Sequence, residues 1–220
     1  MKEAKILLEI YRRLRREFGH RGWWPGRTRF EVIVGAILTQ NTSWKNVERA
    51  IRSLRQAGAL TPHAMRRLPL TKLARLIRSS GYFRMKAARL KHFLRFLFGR
   101  YAGNLNKMFS RDQAALREEL LGIHGIGPET ADSILLYAGA KPSFVVDAYT
   151  RRIFSRHHFL SEKASYGEVQ DYFVKNLTAD PDLYNDYHAQ LVKIGNTFCR
   201  KREPLCNRCP LEFLFHLKRP

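Results

Sequence analysis

Apolar residues return every three or four positions along almost the whole chain, the spacing of one buried helix face. No pair of segments alternates apolar and polar residues well enough to predict paired strands. The fold class read from this pattern is all-α. Ile6, Leu7, Ile10, Leu14 and Phe18 set a first helix over residues 3–18, and a short aromatic loop, Arg21-Gly22-Trp23-Trp24-Pro25-Gly26, follows it. Residues 30–39 (FEVIVGAILT) are apolar nearly all round, which predicts a helix buried on every side. Gln40-Asn41-Thr42-Ser43 breaks the pattern, and Thr42 or Ser43 is placed to cap a helix running to about Ala57. Thr61-Pro62 starts a short helix, and Thr71 caps another that ends at Ser79-Ser80-Gly81. Residues 84–101 form a long basic helix with Leu90, Phe93, Leu94 and Leu97 inward, and Ser110 or Asp112 caps the next. Three further helices are expected over residues 148–157, 165–177 and 183–198.

Between the helical patterns lies Gly125-Ile126-Gly127-Pro128. The two glycines permit positive φ and close approach of the backbone to another molecule. Pro128 suits the first turn of a helix, where a missing N–H costs nothing. A second helix therefore starts near Pro128 and carries Thr130, Ala131, Ile134 and Leu135. Its free N–H groups would face out of the loop as an anion site, although an ordinary helix–helix turn has the same composition.

Charge then narrows the function. The 220 residues hold 40 Lys+Arg against 19 Asp+Glu, a net charge of +21. A hydrophobic fraction of 45% with 12% aromatics argues against disorder, so the excess is carried by a folded surface. It calls for a polyanionic partner, nucleic acid first and an anionic membrane surface a distant second. No apolar run is long enough to span a bilayer, and charges interrupt the N-terminal helix too often for a signal peptide. A cytoplasmic, nucleoid-associated location follows, and in that reducing setting Cys199, Cys206 and Cys209 suggest a metal site rather than disulfides.

Ile123-His124-Gly125-Ile126-Gly127, followed at the expected distance by Val146-Asp147-Ala148-Tyr149, resembles the helix-hairpin-helix plus Gly/Pro-Asp motif of the endonuclease III superfamily of DNA base-excision glycosylases. The resemblance extends over nearly the whole chain. It implies two helical lobes flanking a DNA-binding cleft. One is a six-helix barrel over residues 21–127, ending in the hairpin. The other combines residues 1–20 with 128–220. Gly125, Ile126, Gly127, Glu129 and Thr130 would meet the DNA phosphates, with a monovalent cation at the hairpin. Asp147 would be the catalytic carboxylate, stabilising an oxocarbenium-like transition state and activating water. It is equally a good N-cap for the helix at Ala148. Relatives that also cleave the backbone carry a lysine where this chain has Glu129, which cannot form a Schiff base, so a monofunctional enzyme is expected.

Trp23-Trp24-Pro25 and Trp44 are similar to the base pocket of the bacterial 3-methyladenine DNA glycosylases of that superfamily. Outside that context such rings more often seal a core. Alkylated purines such as 3-methyladenine carry positive charge, which aromatic faces attract, and they leave readily. Gln40 and Tyr82 match the positions that fill the gap beside a flipped nucleotide. Arg84, Lys86, Arg89 and Lys91 stand close enough to Tyr82 to reach phosphates. The cysteines match three of the four positions of the family's iron–sulfur loop; the fourth is Phe215, with His216 next. Either His216 completes a [4Fe–4S] site, or three ligands hold the cluster, or the loop survives without it. A Cys₃His zinc site is also chemically reasonable. Arg200, Lys201, Arg202 and Arg208 would face the DNA backbone. The partner implied is double-stranded DNA with a damaged base, bound by a monomer, with mismatched or oxidised bases as the nearest alternative substrates and a non-catalytic DNA-binding role as a further one.

Overall fold

The computed structural model describes residues 2–216, with the backbone alone at His216. Among the described residues there are twelve α-helices and no strand, so the fold is all-α. Contacts divide the chain into two compact units, Met1–Trp23 with Pro142–Pro220, and Trp24–Lys141.

The second unit is built around α2 (Arg29–Leu38), whose residues from Phe30 to Leu38 are all buried. Thr28 caps it by accepting from the Glu31 N–H. Glu31 pairs with Arg55 at 2.6 Å, which compensates the one charge on that helix taken out of water. Around it stand α3 (Trp44–Gln56), α4 (Pro62–Arg67), α5 (Leu70–Leu76), a 3₁₀ turn (Arg78–Ser80), α6 (Phe83–Tyr101), α7 (Leu105–Phe109), α8 (Gln113–Leu121) and α9 (Pro128–Ser133). α9 continues into a π-helical turn, Ile134–Ala138. Ala131, Ile134 and Leu135 are fully buried in the same core as Ile33 and Ile37. For that reason the division falls at residues 23/24 and 141/142, not at 20/21 and 127/128: the hairpin's second helix stays with the first.

The other unit gathers α1 (Lys2–Phe18), α10 (Ala148–Arg156), α11 (Tyr166–Asn176) and α12 (Pro181–Thr197). Its core is aromatic. Phe144 stacks on Phe173 at 4.0 Å, and Tyr11 stacks on Tyr187 at 5.4 Å. Buried Asp186 on α12 accepts from the Tyr11 hydroxyl and the Arg21 N–H, both at 2.9 Å, fastening α1 and the loop after it.

Some local expectations change. Thr71 lies inside α5, whose preceding residue is Pro69, so it caps nothing. Ser43 precedes α3 in extended geometry but its hydroxyl makes no cap bond. Asp112, not Ser110, caps α8, accepting from the Ala115 N–H at 3.0 Å. Capping boxes behave as their chemistry requires: Ser165 and Glu168 satisfy each other's N–H groups at the start of α11.

The hairpin's two helices are clamped by Arg117 on α8, which donates Nε to Oδ1 and Nη2 to Oδ2 of fully buried Asp132 on α9, at 2.8 and 3.1 Å. Arg117→Ala should destabilise the fold by about 3 kcal/mol, because it removes the charged partner of a buried carboxylate. Replacing both residues with apolar ones should restore most of the loss in urea unfolding.

Candidate active site

Asp147 stands at the N-cap of α10 in extended geometry, φ −117° and ψ −176°. Its Oδ1 accepts from the Thr150 N–H at 2.8 Å and the Thr150 hydroxyl at 3.0 Å. Its Oδ2 lies 3.5 Å from Nε2 of His188 on α12. The Asp147 side chain is 13% exposed and that of His188 8%. Burial pushes the carboxyl up, but the His188 charge and contact, with the Thr150 donors, outweigh it and hold it below the usual carboxylate range. The arrangement is a carboxylate kept ionised with a small surface still open, which is what stabilising a developing positive charge requires. The cap reading holds at this residue. His188 was missed in the sequence, where it looks like one polar residue in an otherwise buried helix face.

In the second unit, Gly125 adopts φ +90°, and a Cβ there would meet the Arg89 side chain at 2.4 Å, so glycine is required twice over. Gly127 is extended, exposed and has open space where a Cβ would be, and it precedes Pro128 at the start of α9. Ile126 is buried and anchors the hairpin, Thr130 is buried, and Glu129 is exposed in the first turn. Gln40 reaches this hairpin directly: its Nε2 donates to the Gly125 carbonyl at 3.1 Å and to the Thr130 hydroxyl at 2.9 Å, and its Oε1 accepts from Arg89. Tyr82 does the opposite. It is 66% exposed and sits in the left-handed region at φ +45°, a conformation that costs a non-glycine residue about 1–2 kcal/mol.

Of the four cations past Tyr82, only Arg84 is freely exposed on the helix surface. Lys86 is 1% exposed and donates to the Leu38 carbonyl at 2.9 Å and the Ser80 carbonyl at 2.6 Å. Lys91 donates to the Met65, Arg66 and Leu68 carbonyls and so closes the end of α4. Arg89 is committed to Gln40. These three act inside the fold, and the expectation that they reach phosphates is corrected accordingly.

Trp24, Pro25 and Trp44 line a cavity of about 310 Å³ together with Gly35, Glu31 and Glu48. Trp24 and Trp44 meet edge to face at 5.1 Å, and Trp24 lies at the same distance from Tyr137. The Trp24 indole also rests on Gly35, where a Cβ would come within 3.0 Å of Nε1, so this ring seals α2 as well as lining the cavity. Trp44 donates to Glu48 at 2.9 Å. Trp23 belongs to the other unit, so the four residues expected to form one pocket divide, three to one.

Cys199, Cys206 and Cys209 line one small, mainly apolar cavity of about 180 Å³ with His157 and Phe215. Burial pushes the Cys209 thiol up to about 11, and the neighbouring Cys199 and Cys206 add to the rise. Among the described residues no three His, Cys, Asp or Glu side chains group closely enough to hold a metal ion. Phe215, 55% exposed, offers no fourth ligand, and the His216 side chain lies outside the described residues.

A glycine hairpin opening a helix and a capped, charged aspartate, on an all-helical chain of charge +21, define a DNA base-excision glycosylase. The chain belongs to the HhH-GPD superfamily of base excision DNA repair proteins, whose family profile its residues 34–178 match. MJ1434 of Methanocaldococcus jannaschii, whose name ascribes DNA repair glycosylase activity to it, is 49% identical over 216 residues, 96% of this chain and 97% of that one. Endonuclease III of Sulfolobus acidocaldarius is 30% identical over 84% of this chain and 81% of its own length. Among solved structures, the H. pylori 3-methyladenine DNA glycosylase MagIII bound to 1,N6-ethenoadenine is 28% identical with a TM-score of 0.74, over 87% of this chain and 96% of that one. A non-covalent endonuclease III–DNA complex shares the fold, with a TM-score of 0.81 at 24% identity, over 98% and 95% of the two chains. No helix among the described residues is long and apolar enough to cross a membrane.

Lys86 joins the carbonyls just ahead of Gln40 and Tyr82. Lys86→Met should cost roughly 1–3 kcal/mol, since two buried carbonyls lose their donor. Burial, then Arg89, lowers the Lys86 pKa from 10.5 to about 8. Between those values the unfolded chain holds more protons than the folded one, so this residue makes the fold more stable as pH rises from about 8 to about 10.5. The stability difference between wild type and Lys86→Met should therefore widen over that window in urea titrations.

Proposed function

We propose that this DNA glycosylase is monofunctional, takes an alkylated purine out of duplex DNA, 3-methyladenine foremost, and hydrolyses its N-glycosidic bond with Asp147. The observation that carries the reading is the carboxylate at the head of α10, held charged by Thr150 and His188 while keeping a small exposed surface. As the C1′–N bond breaks, its electrons pass to the base and positive charge builds on the sugar. Asp147 stabilises that charge, then takes a proton from the water that adds to C1′. A base already carrying positive charge leaves as a neutral molecule, so no separate acid is needed.

The substrate class rests on two supports. Trp24 and Trp44 bring aromatic faces to one cavity, whose wall carries Glu31 and Glu48 beside Arg27, Arg52 and Arg55. MagIII, named as a 3-methyladenine DNA glycosylase, resembles this chain over most of its length. Glu129 supports the absence of a lyase step, since a carboxylate in the first turn complements the helix N-terminus but forms no Schiff base. The exposed hairpin around Gly127 would meet backbone phosphates, and Tyr82 would stack beside the orphaned base.

The three cysteines would hold an iron–sulfur cluster short of one protein ligand. When bound, such a cluster would brace the C-terminal loop and present Arg200, Lys201, Arg202 and Arg208, all exposed, toward DNA. Protein purified without oxygen should then show the cluster's visible absorption and ~4 iron atoms per chain. Iron-free protein that folds and binds DNA equally well would remove the cluster from this reading.

Base release from randomly methylated duplex DNA, separated by chromatography, tests the function. Wild type should release 3-methyladenine, and Asp147→Asn should lose turnover by about 10²–10⁴-fold while retaining DNA affinity. Trp44→Ala is the better probe of the pocket because Trp24 also seals α2. It should slow release of the charged base by about 2- to 30-fold more than release of a neutral one. Release of uracil, of thymine opposite guanine or of 8-oxoguanine in place of the methylated purine would overturn the substrate assignment.

A further inference from the structure

We propose that His188 is a positioning residue for Asp147: with Thr150 on the other oxygen, it fixes the carboxylate's orientation. This rests on the assignment of Asp147 as the working carboxylate. The two oxygens are held differently. Oδ1 has two Thr150 donors within 3.0 Å. Oδ2 has the His188 Nε2 at 3.5 Å, a looser contact than those on Oδ1.

The surroundings isolate the pair. α12 packs against α10 and α1. On α10, Arg152 donates to the Cys199 and Gly195 carbonyls at the far end of α12, and Arg151 donates to the Ala164 carbonyl. On α1 and α12, Tyr11, Arg15 and Asp186 form their own network, joined by His20 and by the Arg21 N–H. Buried Tyr187 donates to the Leu7 carbonyl. Each of these charged or titratable groups has a partner elsewhere, and His188 is an ionisable side chain 3.5 Å from Asp147 Oδ2.

A helix end alone offers an aspartate only partial compensation for burial, and the His188 ring stands 3.5 Å from its other oxygen.

Two variants separate charge from position. His188→Gln keeps a neutral amide nitrogen near the place of Nε2; His188→Leu keeps neither charge nor donor. The first readout needs no substrate: the carboxyl ¹³C titration of Asp147, assigned by its absence in Asp147→Asn. In wild type it should fall below the ordinary aspartate range, and in His188→Gln it should move above it. The second readout is single-turnover base release against pH. Its acid limb should move to higher pH in His188→Gln. His188→Leu should lose about 10- to 100-fold at neutral pH, with DNA affinity unchanged.

An Asp147 titration unmoved in His188→Gln would overturn the proposal whatever the substrate proves to be. A titration that moves as expected, in a protein that releases no base, would keep the His188 assignment and sink the glycosylase chemistry of Asp147 alone. Equal losses of DNA binding and rate in both variants would reduce His188 to a structural residue.

Discussion

A carboxylate removed from water must be compensated on every side or it takes up a proton, and the arrangement of the smaller unit follows from that constraint at Asp147. Compensation comes from three places: the N-terminus of α10, the two Thr150 donors and the His188 ring. The first two are local to α10. The third requires α12 to lie alongside, in register to bring His188 within 3.5 Å. That register is set at both ends. Arg152 ties α10 to the Gly195 and Cys199 carbonyls at the end of α12, and Asp186 ties the middle of α12 to Tyr11 and the Arg21 backbone. The cysteine loop begins where Arg152 and Arg156 bind its carbonyls, so the candidate active site and the candidate cluster loop hang on the same short helix.

The larger unit uses its charges in a similar way, which changes how the net charge of +21 should be understood. Lys86 and Lys91 point inward and satisfy carbonyls left open where α2, the 3₁₀ turn and α4 end. Arg117 is spent on Asp132 and Arg55 on Glu31. These residues contribute positive charge to the count but do little direct work on a DNA backbone. The phosphate-facing share of the charge must come from exposed residues such as Arg84 and the four basic residues of the cysteine loop.

Helix periodicity was legible because long amphipathic or wholly apolar stretches, such as residues 30–39, admit one good interpretation. Asp147 was legible as a cap, and Asp112 as one of two candidates with Ser110, because their short side chains have a nearby N–H to satisfy. Thr71 was not, because a threonine one turn into a helix looks the same in sequence as one before it. The five-residue α7 and the π-helical turn at Ile134–Ala138 leave too short a pattern to register. The hairpin and Asp147 could be found by spacing. His188 and Lys86 could not, since each matters through a partner 41 or 48 residues away that only the fold brings near. The split between Trp23 and Trp24 was equally hidden, because adjacent residues give no sign that a boundary runs between them.

The two residues expected to wedge into DNA are prepared for unequal parts. Gln40 would have to give up bonds to the Gly125 carbonyl and the Thr130 hydroxyl, and Arg89 would lose its acceptor, before the amide could enter a base stack. Each such bond is worth about 1 kcal/mol net, so the move competes with what stacking returns. Moving Gln40 would also loosen the hairpin that is meant to grip the phosphates at that moment. Tyr82 has no such conflict. Its ring is exposed, the strain of its left-handed backbone is already present in the free protein, and Lys86 anchors the Ser80 carbonyl behind it. A residue that is strained, exposed and rigidly backed meets DNA at little further cost. On this balance Tyr82 is better prepared for a wedge than Gln40, whose bonds hold the hairpin in shape.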